Sequence, residues 1–177
     1  MASTLEGKTI LMSGGSRGIG LAIGVRAARD GANVAVMAKT SEPHPKLPGT
    51  IHTAVEEIEA AGGKGLAILG DVRDNDSIDN AVARTVEAFG GIDICVNNAS
   101  AINISKTPDL DPKRYDLMQD INTRGTFMLS RACIPHLEQS DNAHILTLSP
   151  PIDLNPKWAG GQLGYTCLLY TSDAADE

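Results

Sequence analysis

The stretch that most restricts this chain is a strand-like run at residues 8–13 (KTILMS). It breaks into a glycine-rich turn at 14–20 and re-emerges as a helical pattern at 19–30, with Ala22, Ile23, Arg26 and Ala27 at helical spacing. Gly14, Gly18 and Gly20 allow such a turn to reverse sharply and bring its backbone close to a bound group. The helix that follows offers unpaired N–H groups and the positive end of its dipole, a combination that suits a pyrophosphate. The spacing is G-x-x-x-G-x-G, and no G-K-[ST] follows it, so a P-loop is excluded. A tight strand–helix turn can also exist without a ligand, so the rest of the chain has to decide between the two.

The same alternation continues downstream. Strand-like runs at 33–38 (NVAVMA), 65–70 (GLAILG), 92–96 (IDICV) and 143–149 (AHILTLS) are separated by helical patterns at 50–61, 77–89 and 112–136. Ile51, Ala54, Val55 and Ile58 share one face of the helix at 50–61. Asp76 or Ser77 is the expected N-cap of the helix at 77–89, and the pattern at 112–136 reads as two helical pieces. Residues 41–49 (SEPHPKLPG) form a proline-rich loop. Five strands alternating with helices predict an α/β fold, a Rossmann-type doubly wound parallel sheet with ligands outside the carboxyl ends of its strands. Only 3 % of the residues are aromatic, so the core is built from Val, Ile, Leu and Ala, as in a sheet buried on both faces.

Charge and cysteine content narrow the partners. A net charge of −7 argues against nucleic-acid or anionic-membrane binding. Cys95, Cys133 and Cys167 form no CxxC pair, and His44 and His52 have no cysteine or carboxylate at ligand spacing, so neither a disulfide framework nor a metal site is expected. The N-terminal residues lack an apolar signal core and no run of about 18 apolar residues occurs, which predicts a cytoplasmic protein without a membrane span.

The end of the second strand predicts which nucleotide is preferred. NAD-binding folds of this kind place an acid about 20 residues after the glycine turn to hold the ribose 2′-hydroxyl. Here the sequence reads Met37-Ala38-Lys39-Thr40. Lys39 and, inside the turn, Arg17 are two cations where a 2′-phosphate would lie, and no acid follows the strand, so NADP is expected over NAD. A Rossmann-like methyltransferase favours an acidic residue at this point, and Ala38-Lys39 supplies none.

At this point the residues resemble the short-chain dehydrogenase/reductase superfamily. The matching stretches are SGGSRGIG at 13–20, DV at 71–72, NNAS at 97–100, INTRG at 121–125 and YT at 165–166. Residues 37–64 and 148–158 further resemble one group within it, the hydroxysteroid dehydrogenase-like protein 2 group, which carries a His-Pro-rich insert. The resemblance implies that Gly14, Ser16, Arg17, Gly18, Ile19 and Gly20 bind the pyrophosphate and ribose, and that Asp71 bonds the adenine amino group while Val72 packs the ring. It further implies that Asn98 and Ala99 line the adenosine side, that Asn122 supports a proton-relay water and that Tyr165 is the catalytic acid/base. It implies an oxidoreductase that moves a hydride between nicotinamide and a small carbonyl or secondary alcohol, in a homo-oligomer. The physical requirement agrees, because a phenol with a pKa near about 10 must be tuned by neighbouring cations to work as a base at neutral pH.

Three features depart from that pattern. The family's Ser-Ser pair after the fifth strand is Ser149-Pro150 here, so Ser149, the only hydroxyl expected on that turn, takes the oxyanion-orienting role. The lysine of the family's Tyr-x-x-x-Lys is Leu169, and no lysine follows Lys157. Residues 167–177 (CLLYTSDAADE) lack the pattern of the expected helix and read as a non-native tail after an incomplete NADP-binding domain at 1–166. The expectation is a fold truncated after the fifth strand and the start of the following helix, inactive as written, with an exposed fifth-strand edge. The alternative is a non-catalytic nucleotide-binding module.

Overall fold

Alternate residues of each strand feed two separate cores, one on each face of a single sheet. The computed structural model describes residues 4–45, 48–149 and 161–172. Among them, β1 (Thr9–Ser13), β2 (Asn33–Ala38), β3 (Lys64–Leu69), β4 (Ile94–Asn97) and β5 (His144–Thr147) pair in the order β3-β2-β1-β4-β5, every pair parallel. Leu11, Ala35, Met37 and Cys95 point to one face, where α3 (Asn75–Phe89) and α5 (Thr126–Leu137) cover them with Ile78, Ala81, Leu129 and Cys133. Ile10, Met12, Val34, Val36 and Val96 point to the other, against α1 (Gly18–Arg29) and α2 (Ile51–Ala60). β1 is buried at all five positions, as a central parallel strand must be. The doubly wound parallel sheet expected from the sequence is the one found.

Local boundaries differ for identifiable reasons. The N-cap of α3 is Asp74, not Asp76 or Ser77, because the Asp74 carboxylate accepts both the Ser77 N–H at 3.1 Å and the Ser77 hydroxyl at 2.7 Å. Thr50 and Thr53 form a reciprocal capping box that starts α2. β4 starts at Ile94 rather than residue 92, since the Asp93 carboxylate takes the Thr9 N–H at 2.8 Å and the Ser140 hydroxyl at 2.5 Å. Residues 112–137 form one rod made, as expected, of two α-helical pieces, with a different winding between them. α4 (Pro112–Met118) passes into α5 through a π-helical segment, Gln119–Gly125. Gly125 permits it, as a Cβ there would stand 2.9 Å from Val72 Cγ2.

The end of the described chain also departs from expectation. Cys167–Ser172, read from sequence as non-helical, continue a helix, α6 (Leu163–Ser172). Packing rather than pattern holds it: Leu168 is buried, and Gly164 sits so close to Leu110 that a Cβ would meet its Cδ2 at 2.2 Å. Pro150 and residues 173–177 lie outside the described residues. Among the described residues β5 is one edge of the sheet and β3 the other, and Ile145 and Leu146 on β5 are both about half exposed, in line with the exposed-edge expectation. Cys95 and Cys133, distant in sequence, are buried neighbours; both are free, and burial and Cys95 together push the Cys133 thiol far up. Among the described residues there is no cluster able to hold a metal and no helix long and apolar enough to cross a membrane.

Candidate functional site

β1 and β4 end side by side, with Ser13 opposite Asn97, and the loops leaving them meet. Ser13 joins them. Its buried hydroxyl accepts the N–H groups of Asn98 and Ala99, each at 3.2 Å, and donates to the Val96 carbonyl at 3.4 Å. Asn98 Nδ2 then donates to the Gly14 carbonyl at 2.8 Å. This closeness explains two of the glycines. A Cβ on Gly14 (φ +74°) would stand 2.8 Å from the Ala99 backbone, and one on Gly20 would stand 2.5 Å from Asn98 Nδ2. Gly18 (φ +57°) instead borders open space. Arg17 caps α1 in extended conformation with no side-chain capping hydrogen bond, so its side chain supplies no acceptor to the first N–H groups of the helix. Open space at Gly18 and side-chain-uncapped donors beside it fit the pyrophosphate of a dinucleotide.

One side of the turn is charged, and its charges are already engaged. Lys39 Nζ lies 3.2 Å from Asp71 Oδ2. Arg73 grips the same carboxylate through Nη2 at 2.6 Å and Nε at 3.1 Å, and the Arg73 N–H adds a bond to Asp71 Oδ1 at 3.1 Å. The Arg73 guanidinium, with help from Lys39, holds the Asp71 carboxyl well below the usual carboxylate range despite its partial burial. The sequence reading missed this contact: no acid follows the second strand, yet one reaches Lys39 from the end of the third. Arg17 Nη2 donates to the Gly49 carbonyl at 3.3 Å, tying the turn to the end of the proline-rich loop. Ser16 is buried against Gly49, and Val72 is buried in the core beside Gly125. Arg17 thus ties the turn to Gly49, Lys39 and Asp71 form an ion pair, and Ser16 and Val72 are buried.

On the other side of the turn, a cavity of about 330 Å³ gathers Ile19, Asn98, Ala99, Asn122, Ser149 and Tyr165 around one opening. The sequence places these residues as much as 146 positions apart, from Ile19 to Tyr165. Asn122, in the π-helical segment, clamps the loop after β4: its Nδ2 donates to the Ala101 carbonyl and its Oδ1 accepts the Ala101 N–H, both at 2.8 Å. Tyr165 stands on α6 with its phenol pushed up from its ordinary value by burial alone. Leu169 follows one turn later on the same helix.

Several lining residues were not foreseen. Thr147 adds a second hydroxyl at the end of β5, so Ser149 is not the only one there. Asn97 Nδ2 donates to Ser130 Oγ at 2.9 Å and Thr147 Oγ1 at 3.4 Å, while its buried Oδ1 has no partner among the described residues. Its place in the NNAS stretch was the available signal.

The profile of the short chain dehydrogenase family matches residues 8–159. The chain is 58 % identical over 166 residues to hydroxysteroid dehydrogenase-like protein 2 of Xenopus laevis, covering 94 % of this chain and 40 % of that protein. It therefore spans about two-fifths of the length of that curated relative. A short chain dehydrogenase crystal structure from Mycobacterium thermoresistibile is 61 % identical with a TM-score of 0.90, over 95 % of this chain and 60 % of that one. Two more distant structures carry cofactors. An NADH-dependent reductase complexed with NAD (28 % identity, TM-score 0.80) is covered over 70 % of its length and 96 % of this chain. A metagenomic short-chain oxidoreductase in complex with NADP (28 % identity, TM-score 0.84) is covered over 74 % of its length and 98 % of this chain.

Proposed function

Because the chain belongs to the short chain dehydrogenase family of oxidoreductases, we propose that its glycine turn holds NADP and that the protein oxidises or reduces a carbonyl/secondary-alcohol pair. The observation that carries the cofactor choice is the pair of cations Arg17 and Lys39 flanking a turn whose preceding strand pair ends without an acid at Ala38-Lys39. A nicotinamide dinucleotide supplies or takes up hydride when bound there. The protein's own part is positional and acid–base. Gly14 and Gly20 bring the Asn98–Ala99 loop against the turn, and Gly18 leaves room for the diphosphate. Ser149 orients the substrate oxygen and Tyr165 exchanges a proton with it. Asn122 fixes the loop that walls the cavity.

A specific observation favours a second reading, nucleotide binding without turnover. Burial is the cause acting on the Tyr165 phenol, and the position that holds the family's lysine is Leu169. At neutral pH the phenol is then held protonated, which disfavours proton exchange with a substrate oxygen in both directions. Turnover of a carbonyl with NADPH, or of the matching alcohol with NADP, supports the first reading; activity in neither direction leaves binding alone.

The cofactor choice is tested by titration calorimetry of the full chain. NADPH is expected to bind more tightly than NADH, and Lys39→Glu to weaken NADPH about tenfold while moving NADH by less than about twofold, because the reversed charge meets only the 2′-phosphate. Equal affinities in the unmodified chain would remove the NADP reading.

A further inference from the structure

We propose that Arg73 is a positioning residue for cofactor choice, one that acts on the 2′-phosphate through Asp71 and Lys39 without touching it; this rests on the NADP reading above. The geometry gives one carboxylate two cations with unequal grip. Arg73 holds Asp71 by a fork from Nη2 and Nε and by its own N–H, within two residues of sequence. Its backbone is itself anchored, since Arg124 Nη1 donates to the Arg73 carbonyl at 3.0 Å and Arg124 Nη2 to Asn75 Oδ1 at 2.8 Å. Lys39 has a single 3.2 Å contact to Asp71 Oδ2 and a side chain that is 60 % exposed on a flexible stem.

The inequality decides which cation is released. A dianionic phosphate arriving beside Lys39 competes with Asp71 for the ammonium. With Arg73 in place, Asp71 keeps a bidentate partner when Lys39 turns away, and the trio presents one net positive charge. Without Arg73, Lys39 becomes the main neutralising partner of Asp71 and the group is neutral overall. The phosphate then has to separate an ion pair and face the carboxylate it exposes. NADH lacks that phosphate and avoids both costs. The other charged groups near the trio are Asp74, within Coulomb range of Asp71, Asp120, within range of Arg73, and the Arg124 guanidinium, whose hydrogen bonds go to the Arg73 carbonyl and Asn75 Oδ1. None of these hydrogen bonds is made to the Asp71 carboxylate, so none replaces the Arg73 fork.

The test is a set of calorimetric titrations of the full chain with NADPH and with NADH, at low and at physiological ionic strength. Arg73→Gln is expected to reduce the NADPH-over-NADH preference about fivefold, mostly at low salt, with NADH affinity within about twofold of the unmodified chain. Arg73→Lys restores part of the preference, since charge is kept and the fork lost. In an Asp71→Asn background, Arg73→Gln no longer changes the preference, because no carboxylate remains to be held. An unchanged preference in Arg73→Gln with an intact circular-dichroism spectrum overturns the proposal. So does an equal drop in the Asp71→Asn background, which would mean that Arg73 meets the phosphate directly. A chain that shows no preference before any substitution overturns the NADP reading instead, so the two failures are distinguishable.

Discussion

The glycine turn has two sides built from different chemistry. On one side, Arg17, Lys39, Asp71 and Arg73 are in contact with each other or with fixed backbone, and each charge has a partner in the structure. On the cavity side, Asn122, Ser149 and Tyr165 meet around apolar walls from Ile19, Ala99 and Leu168, with no Lys or Arg among the described lining residues. On the proposed reading, holding a nucleotide and using it draw on separate parts of the chain. Binding draws on glycine, backbone donors and local charge within residues 13–73, whereas proton exchange would draw on the Tyr165 phenol, on a helix that carries no Lys or Arg.

Four substitutions would break or sharpen that contrast. Gly20→Ala should have the largest effect: its Cβ collides with Asn98 Nδ2 and the Gly14 carbonyl, so about 3 kcal/mol of stability and calorimetric binding of NADPH should both be lost. If the two sides are separable, the Tyr165 titration read in the remaining folded protein stays where it was. Asn122→Ala acts on the opposite side, leaving the half-buried Ala101 N–H and carbonyl without their partner. It should lower stability by about 2 kcal/mol in chemical denaturation while NADPH affinity changes little.

Leu169→Lys would put the family's lysine back at its sequence position, one helical turn after Tyr165, and so test the contrast. The Tyr165 phenol, raised by burial, should titrate about one pH unit lower in ultraviolet difference spectra referenced to Tyr165→Phe. No movement would mean that the helix position alone does not bring charge to the phenol. The smallest effect is acid stability. Asp71 has its carboxyl depressed in the folded chain, so its contribution is fully present above the ordinary carboxylate pKa of about 4 and fades as pH falls below it. Asp71→Asn should flatten that acid limb in thermal melts and leave the neutral-pH cavity unchanged.

Much of this was legible in the sequence because the signals were local. The turn at 14–20, the strand runs and the absence of an acid at Ala38-Lys39 each depend on neighbours in the chain, and the fold followed from their alternation. The site residues were legible by motif, and the cavity brings together six of them. What the sequence withheld were contacts that the crossovers create. Ser13 bonding Asn98 and Ala99, and Asp71 reaching Lys39 from an adjacent strand, arise only when β1 lies between β2 and β4 and β3 lies beside β2. The Arg73 fork on Asp71 was two residues away and could have been read, but its hold on Lys39's partner could not. The helical tail of α6 was hidden for another reason: its face is chosen by Leu110 and Tyr115, which lie on other elements.

The π-helical segment imposes a rule of counting. Between Met118 and Thr126 the rod is wound wider than an α-helix, so it carries a residue that regular winding would not accommodate. Deleting one residue there would let the ladder close as a regular helix with α4 and α5 keeping their relative faces, and the wide turn that presents Asn122 would be lost. Asn122 would then leave Ala101, whereas Tyr115 would stay beside Gly164. Point changes on the outer surface of this rod should be absorbed, whereas a single-codon loss should not, making its length a stricter inheritance than its composition.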